Sequence, residues 1–153
     1  MKKKYEPNGL FASLPEEKEN ELSDKSNASS KKSSERRLYT EQPVYVQSYS
    51  LLKQLIVVFR RMPRDIRFTI GKRMLDVMMD EVTSVFHAFK HVKERLSYIQ
   101  QAQKQISEVQ LYLRLLNDLA VISNRQYLYT LPLTSEIAIQ LRAWYDYTYR
   151  RQS

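Results

Sequence analysis

The chain has no cysteine and only two glycines, Gly9 and Gly71, in 153 residues. Without cysteine a disulfide framework is excluded, and the composition suits a reducing compartment. Two glycines so far apart cannot build a glycine-rich phosphate loop. Long apolar runs are also missing: the longest, Leu55 to Phe59, is far too short to span a bilayer. Lys2 to Lys4 open the chain as a signal peptide would, but the apolar patch after them, Leu10 to Leu14, is interrupted by serine and stops at Pro15-Glu16-Glu17, so no secretion signal is read. The expected location is the cytoplasm, with no membrane partner. What the chain does have is Leu, Gln, Arg and Lys in quantity, which with scarce glycine argues for helices joined by short connections.

The charge is unevenly placed. Of 25 basic and 17 acidic residues, positions 1–42 hold 9 and 8 while positions 43–153 hold 16 and 9, a net of +7. The first segment, with Lys31-Lys32, Arg36-Arg37 and seven serines, has too few apolar side chains to offset the entropy of ordering it. It is expected to be a disordered N-terminal arm over 1–42, with the folded domain over 43–153.

After Pro43 the apolar spacing predicts four helices. Ser48, Leu51-Leu52, Leu55, Phe59 and Met62 mark the first, with Pro43 tolerated in its opening turn. Gly71, Met74-Leu75, Met78, Val82, Val85-Phe86 and Phe89 mark the second, with Arg73, Asp76, Asp80, Ser84 and His87 expected to face water. The third runs from about Val92 to Ala120 through Leu96, Ile99, Ala102, Ile106, Val109, Leu113 and Leu116. Ser123 is the expected N-cap of the fourth, which carries Ile137, Leu141, Trp144 and Tyr145, and in which Pro132 is expected to cause a kink or a late start. Long amphipathic helices with short links give an all-α, antiparallel four-helix bundle.

Two features exceed what such a bundle needs. On a helical wheel, Leu111, Leu115 and Leu119 extend the apolar arc of the third helix to about 200°, against about 100° for a core-facing stripe, and a second copy of the chain would cover the surplus. The other feature is a basic corner around Pro63, which must end or kink the first helix. Asp65 is placed there to cap or charge-stabilise the next helix start. Arg60, Arg61, Arg64, Arg67, Lys72 and Arg73 surround it. Helix starts favour acids, so this many cations at one calls for an external anion. Near the C-terminus Arg142, Arg150 and Arg151 interleave with Trp144, Tyr145, Tyr147 and Tyr149, a mixture that suits unpaired nucleic acid, although Trp144 and Tyr145 also fall on the core stripe.

Catalytic and metal chemistry find no support. His87 and His91 stand four apart with Glu94 beyond, but a helix ending near Lys90 would spoil a metal geometry. Paired Glu-x-x-His motifs for a di-iron bundle are missing, and no arginine stands before either histidine with four to six residues between them, as a small helical RNase of the HEPN type would require. No cofactor is implied.

Pro63-Arg64-Asp65-x-Arg67-Phe68-x-x-Gly71-x-Arg73, then Ser123-x-Arg125-Gln126-Tyr127, Glu136-Ile137 and Trp144, resemble the Avd family, the accessory variability determinants of diversity-generating retroelements. These are close in fold to the four-helix-bundle proteins encoded in intervening sequences of bacterial large-subunit ribosomal RNA genes. The resemblance spans about residues 45–150. It implies a basic homopentameric barrel of four-helix bundles, without catalysis of its own, that binds the element's reverse transcriptase, its RNA and the cDNA copied from it. The long arm and Pro132 depart from the family pattern. Alternative readings are a protein-only scaffold whose basic face meets an acidic partner, and a ribosomal-RNA-associated bundle with no retroelement role.

Overall fold

In a computed structural model, residues 39–153 are described. The arm expected over 1–42 therefore lies, up to residue 38, outside the described residues. Pro43–Ser153 forms one compact unit. It contains α1 (Pro43–Arg60), the short α2 (Arg64–Ile66), a π-helical turn over Arg67–Gly71, α3 (Lys72–Lys90), a 3-10 turn over Val92–Glu94, α4 (Arg95–Asp118) and α5 (Asn124–Gln152). No described residue of this unit is in a strand.

Cross-helix hydrogen bonds fix the topology. Ser48 of α1 reaches Glu81 of α3, while Phe59 and Met62 near the end of α1 sit against Gly71 at the start of α3. Arg73 of α3 meets Glu108 of α4 and Ser84 meets Gln105, so residue numbers again run in opposite directions. Gln110 pairs with Thr134 and Gln100 with Tyr145, which makes α4 and α5 antiparallel. The four long helices run up, down, up and down around one core that includes Leu51, Leu55, Met74, Met78, Val85, Ile99, Ile106, Val109, Leu113, Leu116, Ile137 and Leu141.

The ends of the helices follow from local chemistry, with some corrections to expectation. Ser123 caps α5 as expected: its hydroxyl accepts from the Gln126 amide at 3.1 Å, and the Gln126 side chain accepts from the Ser123 amide at 2.9 Å. Pro132 does not delay α5, which runs unbroken from Asn124. It lies on the exposed face, as does Leu128 one turn earlier, so the carbonyl that lost its amide partner can be met by water. Helix α4 is shorter than the spacing predicts, because the chain leaves it at Leu119 and enters the left-handed region at Ala120, φ 56°. Val121 and Ala120 donate back to the Leu116 and Asn117 carbonyls at 2.9 and 3.0 Å, a Schellman closure with alanine where glycine is preferred.

Helix α3 is rotated relative to the predicted stripe. Its buried residues include Val77, Glu81, Ser84 and Ala88, so Ser84 is not on the water face. His87 is half-buried and its ring lies 5.2 Å from that of Tyr98. Glu81 is fully buried, and its Oε1 accepts from the Ser48 hydroxyl at 3.0 Å while its Oε2 has no partner among the described residues. Burial pushes its carboxyl up to about 8, against the opposing Ser48 hydrogen bond, so most molecules hold it neutral at pH 7.

Candidate nucleic-acid interface

Pro63 opens the corner as the N-cap of α2, with an extended ψ of 146°. Asp65 does not cap: no side-chain cap bond is made at α2, and Asp65 sits inside the first turn, where only its charge favours the helix start. The π turn that follows inserts extra backbone between α2 and α3. It is closed by Gly71, where a Cβ would come within 2.8 Å of the Met62 Sδ and 3.1 Å of Phe59. A hydrogen in place of a side chain thus lets the end of α1 pack directly on the start of α3. Thr69 ties the turn to α2 by donating to the Asp65 carbonyl at 2.8 Å.

The six corner cations divide into two kinds. Arg73 is exposed but engaged: its Nη2 donates to Glu108 at 3.1 Å and its Nε to Tyr112 at 3.4 Å, while the Tyr112 hydroxyl donates to the same carboxylate at 2.8 Å. Tyr112 and Glu108 together raise its pKa above the usual guanidinium value. Lys72 pairs with Asp76 one turn along at 2.8 Å. Arg60, Arg61, Arg64 and Arg67 pair with no carboxylate of the described residues. The first three are exposed and Arg67 is half-buried. Arg64 and Arg67 lie 5.9 and 5.4 Å from the ring of Phe68, a residue 60% exposed. Neither the exposure of Phe68 nor the commitment of Arg73 to α4 could be read from spacing.

Arg142, Arg150 and Arg151 do not join this corner. They occupy the second half of α5, which descends from the corner end, so Arg150 lies about 40 Å along the helix from its first residue at ~1.5 Å per residue. Arg142 and Arg150 are exposed. Arg151 donates to the Tyr147 hydroxyl and lies 5.4 Å from that ring. Trp144 is half-buried against the core, stacked 4.4 Å from Phe89, with Arg95 at 5.8 Å from its indole. Trp144 and Tyr145 pack against the core, while Tyr147 and Tyr149 are exposed.

Leu111, Leu115 and Leu119 lie on the outer face of α4, 60, 38 and 52% exposed, while Leu113 and Leu116 are fully buried. The pairing of Arg73 with Glu108 and Tyr112 sets the basic corner level with this last part of α4. Helix α3 ends at Lys90, before His91, and the His91 ring lies 5.4 Å from that of His87. No group of three His, Cys, Asp or Glu among the described residues could hold a metal ion. No helix among them is long and apolar enough to cross a membrane.

The sequence pattern of the family described as bAvd-like matches residues 44–148, well over half of the chain and almost all of the helical unit. No curated protein and no solved structure matches. The chain belongs to the bAvd-like family, in agreement with the Avd resemblance of its Pro63 to Arg73 segment.

Proposed function

We propose that this bAvd-like chain is a noncatalytic accessory protein of a diversity-generating retroelement, binding the element's reverse transcriptase together with its template RNA and the cDNA made from it. Its place of action is the cytoplasm. Subunits associate through the Leu111, Leu115 and Leu119 face into the pentameric barrel that family membership implies, and the basic corner meets nucleic-acid phosphates. The observation that carries the reading is the set of four arginines, Arg60, Arg61, Arg64 and Arg67, that pair with no described carboxylate, in a segment of net charge +7. Uncompensated guanidiniums on one corner raise the local anion concentration, and each phosphate they neutralise releases a counterion.

The arrangement supports backbone recognition, since nothing in the corner forms a groove-filling element that reads base edges. Within the set, Arg60, Arg61 and Arg64 are the phosphate contacts, and Lys72 and Arg73 contribute field strength while engaged in their own ion pairs. The far-end Arg142, Arg150 and Arg151 serve as a secondary contact along the particle. Titrating the full chain with a structured RNA at a series of salt concentrations tests the reading. Affinity should fall steeply with salt and vary little with sequence. Salt-independent RNA binding, or none beside intact binding to the reverse transcriptase, would make the corner a protein interface and favour the scaffold reading.

A further inference from the structure

We infer that Phe68 is a stacking platform for an unpaired base, giving the corner a preference for single-stranded over duplex nucleic acid. This rests on the reading that the corner binds nucleic acid and adds which form it takes. A phenyl ring 60% exposed stands beside two guanidiniums, Arg67 at 5.4 Å and Arg64 at 5.9 Å. Arg60 and Arg61, at the end of α1 before the Pro63 turn, are both exposed. Flat aromatic and guanidinium faces are the two surfaces on which a nucleobase stacks, and neighbouring cations hold the phosphates on either side of that base.

The backbone under the ring is fixed rather than adaptable. Pro63 sets the chain direction, Thr69 bonds back to Asp65 and Ile66, and Gly71 is locked beneath Met62 and Phe59. The ring is therefore presented to solvent in the free protein, and a base can stack without first ordering a loop. A duplex cannot use this platform, because its bases are already stacked on one another and offer a face only at the ends. Duplex binding would run through the arginines alone.

The test compares the full chain with Phe68→Ala and Phe68→Trp for binding to an oligothymidine, to an abasic oligonucleotide of the same length and to a duplex of the same length. The unmodified chain should prefer the oligothymidine to its abasic counterpart. Phe68→Ala should lower oligothymidine affinity on the order of tenfold and abolish that preference. Abasic and duplex binding and the salt dependence should stay unchanged, because no charge is lost, and Phe68→Trp should restore the affinity. Equal affinity of the unmodified chain for the two single strands, with binding intact, would overturn the stacking role and leave the phosphate reading standing. A fall in particle mass with Phe68→Ala would also overturn it, making Phe68 a contact between copies. Failure of the unmodified chain to bind any of the three would overturn both.

Discussion

The two ends of the bundle use the same side chains in opposite ways. At the end where α3 and α4 meet through the 3-10 turn, Arg95 lies over Trp144 and donates to the Ala88 carbonyl at 2.8 Å, Trp144 stacks on Phe89, and Tyr98 packs against both His87 and His91. At the other end Arg64 and Arg67 flank an exposed Phe68, and Arg60 and Arg61 have no described carboxylate. Arg95 with Trp144 is a packing unit, whereas Arg64 and Arg67 with Phe68 form an open surface; Arg151 over the exposed Tyr147 lies beyond the packed rings of the far end. What separates them is geometry: the first ring, carried by α5, is pressed against Phe89 of α3 and Arg95 of α4, while the second stands on a π turn at a helix corner. Composition alone gives both ends the look of a nucleic-acid site.

Removing one ring from each end breaks this comparison most directly. Trp144→Ala should destabilise the fold by roughly 3 kcal/mol, the lower part of the range for losing a large aromatic from a core, because Trp144 is only half-buried. Phe68→Ala should change stability by less than about 0.5 kcal/mol. Denaturant melts of the two variants measure the contrast, and equal losses would mean that Phe68 is as structural as Trp144.

Glu81, buried between the two ends, sharpens the comparison through pH. Its folded value, about 8, lies above the ordinary 4.5, so the folded state holds a proton that the unfolded state releases. That contribution is fully present below pH 4.5 and is lost progressively as pH rises to about 8, at up to ~1.4 kcal/mol per pH unit. Glu81→Gln, which mimics the neutral acid, should stabilise the protein near pH 7 by up to about 3 kcal/mol and flatten the fall between pH 4.5 and about 8. Thermal melts across that window read the effect. An unchanged slope would show that Glu81 is ionised in the fold.

Smaller effects belong to the corner end. Leu115→Glu should reduce particle mass in light scattering with little loss of helicity, because the side chain faces outward on α4; an unchanged mass would remove the Leu111, Leu115 and Leu119 face as the site of self-association. Ala120→Gly should add about 0.5 kcal/mol in denaturant melts, since relief of a left-handed alanine outweighs the extra freedom glycine gives the unfolded chain. A loss of stability there would mean that the turn is not left-handed.

How far the sequence was legible depended on which property carried the signal. Apolar spacing located the core positions of α1, α4 and α5, among them Leu51, Leu55, Ile99, Ile106, Leu113, Ile137 and Leu141, because burial follows hydrophobicity there. In α3 it found Met74, Met78 and Val85 but missed the side of the face next to them: Glu81 and Ser84 are polar yet buried, so a reading by apolarity set the stripe off-centre. The π turn leaves no period to detect, and with it went the presentation of Phe68. The basic corner was visible as a charge run. That Arg73 belongs to Glu108 and Tyr112, and that Arg142, Arg150 and Arg151 stand at the opposite end, depends on helix pairing, which spacing within one helix does not carry.

In the proposed function the corner, and not the far end, meets the phosphates. The direct measurement is the salt dependence of RNA affinity for two charge-matched variants, Arg60→Gln with Arg61→Gln and Arg64→Gln, and Arg142→Gln with Arg150→Gln and Arg151→Gln. Each phosphate neutralised contributes about −0.7 to −0.9 to the log–log slope. The corner variant should flatten that slope by roughly two to three and the far-end variant by less than about one, with helicity and particle mass unchanged in both. Equal flattening by the two variants, or a larger effect at the far end, would contradict the account.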